Sequence, residues 1–336
     1  MTALTTTLGK TFRTGQRPSW LGLLGVVGLV IVFLSLLQPN FLVEFNLYTV
    51  TYNVSLAVII AFAQMVVVAT GGMNLSIGGI GGLSAIIAAG LMQSFGVPMP
   101  LTILIGLAAG IVMGAINGWL TVKTGINPFI ITLATLAAYT GAIYGITSAN
   151  PYYSIDKDFI NFGQARVGVL PFSTVFTVLA VILVAVLFYR VLMGRWILAV
   201  GGNSRAAEVI GVPVGRAILI AHILSGFLAA VAGLLWMSRL QIGVPTIGER
   251  GWLLPSFAMI VIGGCVLEGG AISIIGVLLA AILLVVIENG ILINRVDPFW
   301  VEFLMGLLIL VSVLIGRVNR GSFSLHRLRH AIRAAR

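Results

Sequence analysis

Val26 to Leu37 reads VVGLVIVFLSLL, with Ser35 as its single polar side chain. A barrel strand in a bilayer alternates apolar and polar residues over about ten positions, because one side meets lipid and the other the lumen. This stretch does not alternate, so it predicts a helix. It belongs to a longer apolar run, Trp20 to Leu37, and a helix needs roughly 17–25 such residues to cross about 30 Å of hydrocarbon. Comparable blocks recur along the chain, at 20–37, 47–69, 74–92, 100–120, 128–148, 171–190, 216–238, 252–267, 271–292 and 298–316. Of 336 residues 59% are hydrophobic and 8% charged, whereas about a quarter of a soluble chain is charged. The fold class is therefore an all-α polytopic membrane protein with about ten transmembrane helices.

The residues before the first span carry Lys10, Arg13 and Arg17 but no A-x-A cleavage site, which predicts a retained helix and not a removed signal peptide. If the N-terminus is cytoplasmic, ten spans leave 14 of the 19 Lys and Arg inside and five outside, namely Lys157, Arg166, Arg239, Arg250 and Arg295. By the positive-inside rule both termini are expected on the cytoplasmic side. The net charge of +10 is then topological and calls for no nucleic-acid partner, while the basic tail can rest on anionic membrane lipid. The expected organisation is a basic tail at 1–19, one transmembrane domain at 20–316 and a second basic tail at 317–336.

Asn117-Gly118 is followed by Asn127-Pro128-Phe129, and Asn289-Gly290 by Asp297-Pro298-Phe299. One junction falls inside and the other outside, as a five-plus-five inverted repeat would give, although both pairs are also common turn dipeptides. Two aqueous segments interrupt the pattern. The outer one, 149–171, is long enough for a small irregular or helical cap. In the inner one, 191–215, Asn203 or Ser204 can cap a short helix, and Gly211 followed by Pro213 ends it. Its small Ala206 and Ala207 are expected to leave one face open to another surface.

The inventory for catalysis is poor. The histidines are His222, His326 and His330, the single cysteine is Cys265, and LGKT at Leu8 to Thr11 lacks the earlier glycine of a phosphate loop. No metal or cofactor site is expected in this chain. Polar residues at membrane depth are the better lead, because they need partners and usually face a bundle interior or a cavity. They are Asn53, Gln64, Asn74, Ser76, Asn117, Glu288, Asn289 and Glu302. Glu288 either snorkels to the outer surface or bonds a neighbouring helix, or it lines a transport route.

Thr70 to Gly79, TGGMNLSIGG, sets glycines and small polar residues between two apolar segments. One reading is close helix packing at Gly71, Gly72, Gly78, Gly79, Gly81 and Gly82. The other is a helix break whose amides and Asn74 and Ser76 face a polar path, since irregular backbone at depth is tolerated only inside protein or beside water. The candidate path residues are Gln64, Gly71, Gly72, Asn74, Ser76, Asn117, Asn127, Glu288 and Asn289. Neutral groups of this kind suit a small polar, uncharged solute.

GGMNLSIG at Gly71 to Gly78, INPFIITLATL at Ile126 to Leu136, GGNSRAAEVIGVPV at Gly201 to Val214, LSGFLAAVAGLL at Leu224 to Leu235 and IGGCVLEGG at Ile262 to Gly270 stand in order. With them the chain resembles the permease subunits of bacterial ABC importers for monosaccharides, of the ribose, xylose and arabinose type. The resemblance implies an ABC ATPase partner holding ATP and magnesium, a second permease copy or paralogue, and an extracytoplasmic solute-binding protein. It also implies that Asn203, Ser204, Arg205, Ala206, Ala207, Glu208 and Gly211 form a helix coupled to the ATPase. Asn74 stands where that family usually has aspartate, which suits a different solute such as a polyol or modified sugar. A self-contained channel, an ion-coupled carrier and a passive structural membrane protein are the alternatives.

Overall fold

The computed structural model describes residues 19–248 and 251–297, with positions 300, 303, 306, 307 and 310. Most of the expected tenth span at 298–316, both basic tails apart from Ser19, Arg250 and Glu302 lie outside the described residues. Among the described residues there are eight long apolar helices: α1 Ser19–Leu37, α2 Glu44–Val68, α3 Ile77–Phe95, α4 Met99–Thr124, α5 Pro128–Thr147, α7 Ser173–Arg190, α10 Val214–Leu240 and α12 Ile274–Ile293. Shorter helices fill the connections: α6 Lys157–Gln164, α8 Leu192–Gly202, α9 Ser204–Val209 and α11 Leu253–Ile262.

From α1 to α10 the long helices alternate in direction, and α12 runs the same way as α10, since the ends of both lie against the start of α2. Their connections therefore fall on two faces, a near face holding Leu192–Val209 and a far face holding 148–172. At the centre α10 packs on α4, α2 and α3. Gly106, Gly110, Gly114 and Gly118 form a stripe on α4 at four-residue spacing, and a Cβ at Gly110 would lie 2.7 Å from Gly226 O. Small residues let two backbones approach this closely where lipid supplies no hydrophobic drive for association. Lipid takes the rim. On α1 Leu21, Leu24, Leu29 and Leu36 are exposed, while Val27 and Leu34 pack against α12.

Polar clamps hold the far face. Asn289 Nδ2 donates to Asn46 Oδ1 at 2.8 Å and Gln38 Nε2 to Asn294 Oδ1 at 2.8 Å. Arg239 donates to Tyr48 Oη at 3.0 Å, with its guanidinium 5.0 Å from the centre of the Tyr52 ring. The expected cap at 149–171 is α6 with a hairpin of β1 Arg166–Val167 and β2 Leu170–Pro171, and Asp156 Oδ1 caps α6 by accepting from Asp158 N.

One expected span is overturned. The stretch 252–267 is not a full crossing helix, because α11 has ten residues, about 15 Å at 1.5 Å per residue. Gly263 and Gly264 stop it, Gly264 at φ +85°, with Cys265 N donating back to Ile260 O at 2.9 Å. The chain then runs without regular structure to Ser273, turning again at Gly269 and Gly270 with φ +95° and +79°. Glycine adopts such angles without steric cost. Asn117-Gly118 lies in α4 and Asn289-Gly290 in α12, which run in opposite directions, while Pro298-Phe299 of the second junction lies outside the described residues.

Candidate translocation site

The helix break lies between α2 and α3. Thr70 N and Gly71 N close the last turn of α2 on Val67 O and Val68 O, both at 2.9 Å, and Gly71 turns the chain at φ +82°. Asn74 Oδ1 then accepts from Ser76 N at 3.0 Å and from Ser76 Oγ at 2.7 Å. Asn74 Nδ2 donates to Ser225 Oγ of α10 at 2.9 Å, and Asn117 Nδ2 of α4 donates to Ser76 Oγ at 2.7 Å. From α5, Thr132 Oγ1 accepts from Leu75 N at 3.1 Å, and Tyr139 Oη donates to Met113 O at 3.1 Å beside Asn117. Asn74, Ser76, Asn117, Thr132 and Ser225 are all fully buried. The break is at depth, because Asn117 precedes the end of α4 by seven residues, about 10 Å, and Ser225 follows the start of α10 by eleven, about 16 Å.

The expectation that these amides face an open path meets a different arrangement. Asn74 and Ser76 spend their hydrogen bonds on α4 and α10, the buried-in-protein form in which irregular backbone is tolerated at membrane depth. The glycines supply close packing at the same place. A Cβ at Gly81 would overlap the Trp252 indole and stand 2.8 Å from Ala229 O, and Gly78 lies directly on the backbone of Gly248. Residues 241–248 on the far face therefore dip between the helices to reach the start of α3.

Replacement of Asn74 by Leu would strand the Ser76 amide and the Ser225 hydroxyl, and an unsatisfied buried group costs about 1–3 kcal/mol. Asn74→Leu is expected to lower both thermal stability in detergent and solute uptake. Asn74→Asp, whose carboxylate can still accept from Ser76 and from the Ser225 hydroxyl, is expected to keep more of both.

Gly71, Gly72, Asn74, Ser76 and Asn117 thus come together. Asn127 stands beside them, exposed, with Oδ1 capping α5 through Phe129 N at 2.9 Å, and Pro128 packs on Gly72. Gln64 is fully buried one turn before the end of α2, and among the described residues neither of its amide atoms has a hydrogen-bond partner. Half-buried Asn53 and Glu288, and Asn289 with its Asn46 bond, lie toward the far face, apart from the break. Ser225, Thr132 and Tyr139 were not singled out in the sequence, although Ser225 and Thr132 lie in the segments LSGFLAAVAGLL and INPFIITLATL. Among the described residues no three His, Cys, Asp or Glu side chains group to hold a metal.

On the near face three glycine-bearing segments touch backbone to backbone. Gly270 N donates to Ala69 O at 3.2 Å, a Cβ at Gly269 would lie 2.8 Å from Gly201 Cα, and one at Gly71 would lie 2.9 Å from Glu268 O. The break, the end of α8 and the loop before α12 are joined there. Gly201 leads straight into α9, which Asn203 caps by accepting from Ala206 N at 2.9 Å and which Gly211 ends at φ +83°. Ser204, Arg205, Ala206, Glu208 and Gly211 are exposed. Ala207 is 2% exposed and packs into the chain's own core, so it offers no open face; Val209 at 87% and Ile210 at 76% exposure do.

A family described as the permease component of the branched-chain amino acid transport system matches residues 46–313. The chain belongs to this permease family. It is 36% identical over 291 residues to the ribose import permease protein RbsC of Bacillus subtilis, covering 86% of this chain and 90% of that one. To the D-allose transport system permease protein AlsC of Escherichia coli it is 33% identical, covering 86% and 89%. To the galactose/methyl galactoside import permease protein MglC of the same species it is also 33% identical, covering 89% and 96%. No solved structure matches. The chain is a multi-pass membrane permease subunit, a transport component and not an enzyme.

Proposed function

We propose that this permease carries a monosaccharide or a related polyol inward across a bacterial cytoplasmic membrane, driven by ATP hydrolysis in a separate ABC ATPase that holds the ATP and magnesium. The near face is cytoplasmic in this reading, which the 14 to 5 distribution of Lys and Arg supports. A second copy or paralogue completes the path, and an extracytoplasmic binding protein delivers the solute to the far face. The observation that carries the proposal is the joint at Gly71, Gly201 and Gly269. It fastens α9, with its exposed Val209 and Ile210, to the helix break at membrane depth. A push on α9 therefore reaches the break through backbone, without passing through compressible side chains. A channel or carrier would leave an exposed apolar pair on a short, capped helix without a use.

The family description speaks of branched-chain amino acids, while the three relatives carry sugar names. An amino acid zwitterion would call for charged partners at depth, and the network at the break is made of neutral amides and hydroxyls. A thermal-shift series on the cognate binding protein decides between them. Stabilisation by a pentose, hexose or polyol is expected; stabilisation by leucine or valine, and by none of the sugars or polyols, would contradict the proposal.

A further inference from the structure

At the far-face cap, the β1–β2 hairpin and the start of α7 enclose a groove of about 410 Å³ that shares no residue with the break. Arg166, Leu170, Phe172, Val175, Val178 and Leu179 are among its walls, and all six are exposed. The walls are fixed from behind. Phe162 of α6, Phe172 and Phe176 meet edge to face, with ring centres 5.2, 5.6 and 5.9 Å apart, and Phe172 N donates to Ala165 O at 2.8 Å. Edge-to-face contacts of this kind add to simple burial in holding the rings. Toward the membrane midplane the apolar face continues. Val175, Val178, Leu179, Ile182, Leu183 and Val186 follow one another at the three- and four-residue spacing of a single helix face, and all are exposed. From Val175 to Val186 the stripe rises about 16 Å, roughly half of the 30 Å hydrocarbon core and so the depth of one leaflet.

We propose that this groove holds one anionic phospholipid of the far-face leaflet, with its phosphate against Arg166 and an acyl chain along α7. A phospholipid carries the same order of chemistry from surface to midplane, a phosphate above hydrocarbon. The charge at the mouth is complementary. Two guanidinium groups stand on the Tyr48 ring, Arg166 at 5.3 Å and Arg239 at 4.9 Å from its centre, against one carboxylate, Glu44, 3.7 Å from Arg166. Both side chains of that ion pair are exposed, and a pair of this kind holds its arginine weakly. A guanidinium has five donors in a planar fork that matches a phosphate, so Arg166 can take a headgroup beside Glu44 or in its place. The hairpin also exposes Val167 and Leu170, which sets the cap against the membrane surface and not out in water. Basic pockets beside transmembrane helices bind anionic headgroups by the same physics. The inference needs only that the chain spans a membrane, and it is independent of the solute and of the ATPase.

Native mass spectrometry of the full chain, purified in detergent and stripped of lipid, reads the site directly. Phosphatidylglycerol, phosphatidylcholine and glycerol 3-phosphate are added in turn. The wild type is expected to bind phosphatidylglycerol about fivefold better than phosphatidylcholine, the worth of one arginine near a charged surface. Glycerol 3-phosphate should not bind, which separates a lipid from a free phosphate. Arg166→Gln is expected to remove the preference for phosphatidylglycerol, and Leu179→Trp, which fills the groove, to lower binding of both lipids with the arginine still in place. Glu44→Gln breaks the same ion pair but leaves the cation, so it should bind phosphatidylglycerol at least as well as the wild type. Equal binding of the two lipids by the wild type, an unchanged preference in Arg166→Gln, or a loss in Glu44→Gln as large as that in Arg166→Gln would each overturn the site. A second copy of the chain is the rival occupant, and Val178→Cys tests it in membranes, because the native Cys265 is buried. The variant is expected to stay monomeric under oxidation; a disulfide-linked dimer would give the groove to the second copy and contradict the proposal.

Discussion

Gly201→Ala is expected to abolish uptake and to destabilise the protein by about 1–3 kcal/mol, while Gly202→Ala, one residue further on, leaves both near wild type. A methyl group at Gly201 would overlap Ala69 O and stand 2.5 Å from Gly270 N, whereas one at Gly202 would have nothing within 4 Å. The obstacles at Gly201 are backbone atoms, which cannot rotate away as a side chain would. The three segments must separate, and the path from α9 to the break is cut where it is tightest. The pair also separates mechanism from helix propensity, because both changes replace glycine by alanine in the last turn of α8. Thermal unfolding in detergent and uptake in proteoliposomes read the two consequences. Equal behaviour of the two variants would remove the joint from the account.

The second large effect is expected at the tip of α9. Val209→Asp places a carboxylate where the proposed ATPase surface closes over an 87% exposed valine. Burying that charge without a partner costs several kcal/mol. At about 1.4 kcal/mol per tenfold in affinity, even a 3 kcal/mol penalty weakens association about a hundredfold. Because the side chain is free in this chain, the variant is expected to insert at normal levels, lose co-purification with the ATPase and lose uptake. Ala207→Asp is a poor substitute for this test. Ala207 is buried in the permease itself, so that change would damage the fold and the docking surface together.

The contrast between Val209 and Ala207 marks how far the sequence could be read. Capping and termination of α9 were legible, because Asn203 and Gly211 act on adjacent backbone. The direction in which each side chain points depends on what α9 packs against, and a small residue suits either side. The same limit holds at the break. Asn74, Ser76 and Asn117 stood out by the cost of placing them at depth, but Ser225, Thr132 and Tyr139 did not. Hydroxyls in helices commonly bond their own backbone, as Thr121 Oγ1 does to Asn117 O at 2.8 Å, so their type gives no sign of a tertiary partner. The stretch 252–267 is apolar enough to span, and hydropathy does not register that Gly263 and Gly264 turn the chain after ten helical residues. The dip of 241–248 was hidden for a related reason. Its socket is an absence of side chains at Gly78, Gly81 and Gly82, which composition reads equally well as helix packing.

The central claim is that this permease moves its solute only when an ATPase acts on the near face. Proteoliposomes holding the chain, its ATPase and a sugar-loaded binding protein on the far-face side, with ATP supplied on the side of Val209, measure it directly. Sugar accumulation that requires ATP and the ATPase, and that stops with Val209→Asp, is the predicted result; accumulation by the chain alone, without ATP, would contradict it.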